Sequence, residues 1–330
     1  MRLLTTFRLL ATAGSIAALA PLAAAAQEKL TWQMAWLPTG EYAAYTAGIE
    51  KGFFLEQGIE LTMTRGFGSG DTVAKIASGA SVIGDADLGA MMTAAVRTDA
   101  PVKAVMAGYT VAPNAFFVIN GSGIETIGDL AGKVVGTTPG NSSMTYLPSI
   151  AEANGLDLSS ITFVTMDGGA MGPMLINGRI DAAPFYTTHH FTMSKQAAQM
   201  GKTIDILPFA DYGLSIYSSS FLANETFLEE KPELVKGWLA GIQKSLLWAK
   251  DNPEEAARIH VAKYPEVDYE DALANLETVL GFMLNESSEA AGLGQFAPEQ
   301  LASTWAFVAQ SQELDPAIDP AVFVDTSLVP

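Results

Sequence analysis

The stretch WLPTGEYAAY (36–45) gathers Trp36, Glu41, Tyr42 and Tyr45 around a turn shaped by Pro38 and Gly40. On a helix Tyr42 and Tyr45, three apart, share one face. Rings at the edge of a cleft suit a flat or apolar ligand, by stacking or cation–π contact. Core packing is their commoner use, so part of this set is structural. GFGSGDT (66–72) and TPGNSSM (138–144) set Gly68, Ser69 and Gly70, and Gly140, Asn141, Ser142 and Ser143, just ahead of helical sequence. Backbone amides at a helix start attract acceptors and negative groups. Gly and Ser there also make tight turns and caps. Neither stretch has the Lys-Ser/Thr pair of a nucleotide-hydrolysing loop.

The charged residues near these stretches are nearly all acids. Glu41, Asp71, Asp85, Asp87, Asp167 and Asp211 fall at or near predicted strand ends, against one base, Arg65. Asp71, ahead of TVAK, reads as a helix cap. A site for a free inorganic anion would want Arg or Lys. The balance favours a neutral or amine-bearing ligand. Tyr186 and His189 follow the run IDAAPFY (180–186), and one histidine of the His189-His190 pair is placed to hydrogen-bond a ligand. Consecutive helical residues do not face the same way, and no other His or Cys cluster completes a site. His260 reads as part of a surface-type helix. No metal and no cofactor are expected. GxSxG, HExxH and a cysteine nucleophile are all missing from the sequence. These residues are suited to holding a small molecule rather than transforming it.

The elements that must position them alternate. Strand-type runs at 31–36, 59–64, 81–87 and 102–109 are separated by helical runs at 40–58, 71–79 and 88–97. A second series adds strands at 115–120, 133–138, 161–166, 180–186 and 203–209, with helices at 142–155, 170–179 and 189–201. An extended run at 214–224 follows, then helices at 232–252, 253–264, 268–284 and 298–314. This is the pattern of open, mostly parallel sheets covered by helices. Such sheets bind ligands beyond the carboxyl ends of their strands. The middle series is bracketed by extended segments and no polar linker separates it. One lobe inserted into another is expected, with crossings near Asn114–Phe117 and Phe209–Ser215. The division is then lobe I at 27–115 and 214–330, and lobe II at 116–213.

Residues 1–26 combine Arg2 and Arg8 with the uncharged apolar run 9–23 and a small-residue site ending at Ala26. That is the order of a secretory signal peptide. Without those residues the chain has 16 basic and 36 acidic side chains, a net charge of −20. A nucleic-acid partner would need a cationic footprint, and so would anionic lipid. There is no cysteine, so no disulfide staples the fold and no lipid-modified cysteine anchors it. A chain of this length buries enough apolar surface without them. The expectation is a soluble, periplasmic monomer.

The order of several motifs resembles a known family. AGIEKGFFLEQGIEL (47–61) resembles the "A-x-x-K-G-F-F-x-x-x-G-I" helix–strand of periplasmic solute-binding proteins in the sulfonate, nitrate and thiamine-precursor (NMT/THI-like) group. IGDLAGKVVGTTPGNSS (127–143) is similar to that group's "DL-x-GK-x-V-G" entry into the second lobe. MLINGRIDAA (174–183) resembles its "L-x-x-G-x-I-D-A" segment. The resemblance covers nearly the whole chain beyond residue 26. It implies an α/β, type II periplasmic binding protein fold: two doubly wound lobes, a two-crossing hinge, and delivery to an ABC permease in the inner membrane without catalysis. Among its branches, the aromatic first loop is most similar to the thiamine-precursor one. The expected ligand is a flat nitrogen-containing aromatic such as a thiamine-type pyrimidine. A small sulfonate (taurine- or alkanesulfonate-like) or nitrate is the alternative. A pyrimidine or thiamine biosynthetic enzyme, or a ligand-sensing domain, is the alternative of another class. The cysteine-rich motif of the fungal biosynthetic relatives is missing.

Overall fold

The computed structural model describes residues 27–330; the expected signal peptide lies outside the described residues. In chain order the first elements are β1 (Glu28–Gln33), α1 (Ala43–Glu50), β2 (Ile59–Thr64), α2 (Ser69–Ala77), β3 (Ile83–Asp87), α3 (Leu88–Thr98) and β4 (Val102–Ala107). Next come β5 (Asn114–Ile119), β6 (Val134–Thr137), α4 (Ser143–Ala153), β7 (Thr162–Thr165), α5 (Gly168–Ile176), β8 (Ala182–Tyr186), α6 (His190–Gln199) and β9 (Ile204–Pro208). The chain finishes with β10 (Ser219–Asn224), α7 (Glu225–Glu230), α8 (Pro232–Asp251), α9 (Pro253–Lys263), α10 (Tyr269–Met283), α11 (Glu286–Ala291) and α12 (Pro298–Gln312). No helix among the described residues is long and apolar enough to cross a membrane.

The strands form two five-stranded sheets, ordered β2-β1-β3-β10-β4 and β7-β6-β8-β5-β9. Each is parallel except for one strand: β10 runs antiparallel to β3 and β4, and β5 runs antiparallel to β8 and β9. Edge strand β2 buries Ile59 and Leu61 and exposes Glu60 and Thr62, the period-two pattern of a half-buried strand. Interior strand β3 is buried throughout.

The chain passes between the sheets twice, at 108–113 and 209–218. The first passage thus precedes Asn114–Phe117, which belong to β5. Pro113 directly precedes that strand, so the crossing stops there and Asn114 is already the first residue of β5. The helix expected over 40–58 is α1 alone plus short turns, because Gly52 and Gly58 take left-handed φ values of 78° and 76° and end each segment. Only 219–224 of the extended run 214–224 pairs in a sheet. The six-residue helices α7 and α11, capped by Asn224 and Asn285, are too short to show a helical period in sequence.

Three apolar clusters hold these layers. One lies beneath the first sheet, where Trp32 meets Trp238 edge-on at 5.3 Å and Phe221 at 5.6 Å. Such geometry adds about 0.5–1.5 kcal/mol per pair beyond area burial. A smaller one fills the second lobe around Phe117, Met171 and Phe185. The third is shared: Met91 of α3, Leu147 and Ile150 of α4, and Trp305 and Val308 of α12 form one continuous cluster across both lobes. The lobes are therefore fused along one side, and a cleft divides them on the other.

Candidate functional site

The cleft closes over a cavity of roughly 740 Å³, the space at its mouth included. The loop after β1 forms one wall. His260 fastens that loop from behind: one ring nitrogen lies 3.0 Å from the Pro38 carbonyl oxygen and the other 3.0 Å from Thr46 Oγ1. His260 is fully buried, contrary to its surface-type sequence setting, and burial lowers its pKa to about 4. The Thr72 hydroxyl donates to the Met34 carbonyl at 2.9 Å and holds the start of the same loop.

Two acids sit inside. Asp85, at the end of β3, accepts from Trp32 Nε1 at 2.6 Å, from the Tyr42 hydroxyl at 2.9 Å and from the Ala35 amide at 3.4 Å. Glu41 accepts from the Thr188 hydroxyl of the other lobe and lies 3.5 Å from His189 Nε2. Both contacts fall on Oε1, which leaves Oε2 for the cavity. Burial raises both acids to about 7, and lowers His189 to about 4. The interior therefore carries two carboxyl groups that change charge near neutrality, and a neutral imidazole.

Of the residues singled out in sequence, Trp36, Glu41, Tyr42, Gly68, Ser69 and Asp85 line the cavity from the first lobe. Asn141, Ser142, Ser143, Tyr186 and His189 line it from the second. Five do not line it. Gly70 and Gly140 meet at the seam between lobes, where the Gly70 amide donates to the Gly140 carbonyl at 3.1 Å. Asp87 is buried away from the cavity and caps α3 through the Ala90 amide. Asp167 is exposed, caps α5 and pairs with Arg65 across the cleft at 2.6 Å. Asp211 lies exposed on the turn Phe209–Tyr212. A strand-end position was the only signal for these acids, and capping a helix uses the same position. Asp71 is not a cap either: α2 starts two residues earlier, and Asp71 pairs with Lys75 at 2.7 Å.

Tyr109, Phe185, Phe221 and Met283 complete the apolar wall, with Tyr45 beside Tyr42. Phe221 and Met283 come from beyond residue 213, and no local pattern distinguishes them from core residues. Among the described residues no group of three or more His, Cys, Asp or Glu side chains is placed to hold a metal ion.

Residues 39–256 match the model of the NMT1/THI5-like family. The chain belongs to this family. Riboflavin-binding protein RibY of Chloroflexus aurantiacus is 25% identical over 289 residues, covering 86% of this chain and 80% of that one. The formylaminopyrimidine-binding protein of Halalkalibacterium halodurans is 24% identical, covering 74% and 73%. A yeast member, the 4-amino-5-hydroxymethyl-2-methylpyrimidine phosphate synthase THI5 of Saccharomyces cerevisiae, is 24% identical over 73% of each chain. In fold, the chain matches the alkanesulfonate-binding protein SsuA of Xanthomonas axonopodis pv. citri with a TM-score of 0.68 at 13% identity, over 90% of this chain and 98% of that one. It matches the periplasmic nitrate-binding protein NrtA of Synechocystis with a TM-score of 0.69 at 12% identity, over 91% and 87%. The two-lobed α/β architecture is that of the periplasmic binding proteins.

The raised acids give a stability prediction. An unfolded Glu41 loses its proton near 4.5, and the folded one near 7. Between those values the folded state keeps a proton that the unfolded state has lost, so this group's contribution becomes less favourable as pH rises and levels off above 7. His189 and His260 act in the opposite sense below 6.5, so the raw profile of the protein mixes both trends. The difference between Glu41→Gln and the parent removes the histidine contributions and leaves that of Glu41 together with its smaller coupling to Asp85. It is expected to grow from near zero below pH 4.5 to about 3 kcal/mol in favour of the variant at pH 8, at 1.36 kcal/mol per unit. Urea unfolding of the ligand-free proteins at several pH values measures it. A pH-independent difference would contradict the assignment.

Proposed function

We propose that this protein is the periplasmic substrate-binding component of an ABC-type importer, and that its ligand is a flat, nitrogen-containing heteroaromatic of the thiamine-precursor pyrimidine type. The observation carrying this reading is the make-up of the interlobe cavity: aromatic walls on both lobes, two buried carboxyls, and no Lys or Arg lining it. A ring ligand stacks on such walls, and its amine or ring N–H donates to Glu41 Oε2. A sulfonate or nitrate would enter without a cationic partner and beside acidic groups, which is unfavourable. The relative that binds formylaminopyrimidine supports the ring class, and the riboflavin-binding relative extends it to larger nitrogen heterocycles.

In this reading the lobes, 27–115 with 214–330 and 116–213, move about the two crossings. The partners are the ligand and an inner-membrane permease. The chain works as an exported monomer and turns nothing over. A pyrimidine synthase remains the reading of a different class, since one relative bears that name.

A thermal-shift screen across aminopyrimidines, riboflavin, alkanesulfonates, taurine and nitrate tests the proposal. A ligand at a hundred times its Kd stabilises the folded state by about 2.7 kcal/mol, so a true ligand is visible. Only the nitrogen heterocycles are expected to raise the melting temperature, and chromatography should recover them unchanged. A shift confined to sulfonates or nitrate would overturn the ligand class. Recovery of a pyrimidine in altered form would overturn the binding-protein reading.

A further inference from the structure

Tyr109 brings a polar atom to the apolar wall of the cavity. Four tyrosines line that cavity: Tyr42, Tyr45, Tyr109 and Tyr186. Three of their hydroxyls are engaged within the protein. Tyr42 donates to Asp85 at 2.9 Å, Tyr45 donates to Met283 Sδ at 3.3 Å, and Tyr186 pairs with Ser142 Oγ at 3.0 Å. The Tyr109 hydroxyl has no hydrogen-bond partner among the described residues, although the residue is only 7% exposed. A buried tyrosine hydroxyl ordinarily finds a partner, because one left unmatched has given up its hydration for nothing.

Backbone and ring both fix its position. Tyr109 belongs to the first passage between the sheets, at 108–113. Its amide donates to the Ser219 carbonyl at 2.8 Å, and its carbonyl accepts from the Ser218 amide at 3.0 Å. Those two bonds fasten it to the second passage. Its ring lies beside Phe282 of α10, with centroids 5.6 Å apart, and beside Tyr186 of β8 at 6.2 Å. The hydroxyl is therefore held in place before any ligand arrives, and a group held in advance loses little freedom on binding. Burial pushes its pKa well above the usual phenol value, and the charge of Glu41 is the next cause. The phenol thus keeps its proton at neutral pH and is available as a donor. Glu41 weighs on Tyr109 more than any other charge does, which puts the free Oε2 and the phenol in one part of the cavity.

We propose that the Tyr109 hydroxyl is a specificity-determining group that donates a hydrogen bond to an acceptor on the ligand's ring, next to the amine taken by Glu41. This rests on the cavity being the site of a nitrogen heterocycle, as proposed above. It narrows that class to rings with an acceptor adjacent to a donor, as a 4-aminopyrimidine has in its ring nitrogen and its amine. A ring carrying the amine alone would bury the phenol without a partner, which is unfavourable.

Tyr109→Phe removes the hydroxyl and keeps the ring. Two compounds are compared by calorimetry at pH 7.5. One is 4-amino-5-hydroxymethyl-2-methylpyrimidine. The other is (2-amino-4-methylphenyl)methanol, which has the same substituents and no ring nitrogen. The pyrimidine's advantage over the carbocycle is expected to fall about tenfold in the variant, the effect of leaving one acceptor unmatched. A purely structural role would weaken both compounds alike. An advantage unchanged within twofold overturns the proposal. Where a sulfonate binds and neither ring does, the variant is measured with that sulfonate. A tenfold loss then supports the donor and counts only against the ring class, and an unchanged affinity overturns the donor as well.

The ligand-free protein gives a second check. Removing a hydroxyl that bonds to nothing in the protein should leave the melting temperature unchanged or raise it. A fall of more than about two degrees would mean that the hydroxyl already has a partner, and overturns the proposal whatever the ligand is.

Discussion

Replacing Gly140 with valine is expected to keep the lobes from closing and to weaken ligand binding more than any other single change at the cleft. A Cβ on Gly140 would lie 3.0 Å from the Asp71 amide nitrogen and 3.2 Å from that of Gly70, both in the opposite lobe. The reverse approach is tighter still, because a Cβ on Gly68 would meet the Gly140 carbonyl oxygen at 2.6 Å. Gly68 also takes a φ of 123°, which side chains avoid, so a change there would disturb its own loop. Gly140 is the cleaner test, since its crowding arises between lobes. Overpacking of this kind costs about 1–3 kcal/mol, or roughly five- to a hundredfold in affinity, before the methyl groups of valine add to it. The melting temperature of the ligand-free protein should stay within about a degree if the lobes separate without ligand, since the crowding arises only across the seam. Calorimetry gives the affinity, and small-angle scattering with ligand shows whether the lobes close. Full affinity and a normal compaction would mean that the seam is looser than its geometry.

Trp36→Ala is the second large effect. Trp36 belongs to the first lobe but packs against the apolar cluster of the second. Its ring lies over Gly168 so closely that a Cβ there would come within 2.5 Å of it. Its centroid is 6.4 Å from that of His189. Removing the ring takes away a cavity wall and an interlobe contact together. Loss of one stacking partner is worth about 1–3 kcal/mol, so Kd should rise roughly five- to a hundredfold. Gly168→Ala should do part of the same damage by displacing the ring. Titration with an aminopyrimidine measures both variants. Wild-type affinity in Trp36→Ala would remove stacking from the account of the ligand.

Much of this was legible in sequence because one chemical pattern served one purpose. β2 alternates cleanly, Pro232, Pro253 and Pro298 stand at the first turns of α8, α9 and α12, and those elements fall where the pattern puts them. The aromatic loop and the Gly/Ser stretches reach the cavity because strand ends converge there. Acids were harder to place. Asp85 and Asp87 are two residues apart on one strand, yet Asp85 lines the cavity while Asp87 is turned to Tyr146 and Ser218. Asp167 and Asp211 have the same type and setting in sequence, and the structure leaves both exposed. His260 shows the converse: its helix is polar overall, and only the packing of α9 on α1 reveals that its ring is buried against Thr46. Side-chain direction across a tertiary contact is not encoded in local spacing.

The position of β10 between β3 and β4 also constrains the order in which this chain can fold. Every strand of the second sheet lies within residues 114–208, so that sheet can form as soon as this stretch is free. The first sheet must wait for Ser219–Asn224. Until they arrive, β3 and β4 present unpaired edges, which attract strands from other molecules. The wait is shortened by a feature of the insertion itself. β5 and β9 are neighbours, with Ala115 opposite Pro208, so folding of the second lobe brings the ends of a long loop together. The entropy of closing that loop is then already spent when β10 reaches its slot. The second lobe should fold first and act as a clamp for the first. A defect that slows it would be felt as aggregation of a lobe it does not belong to.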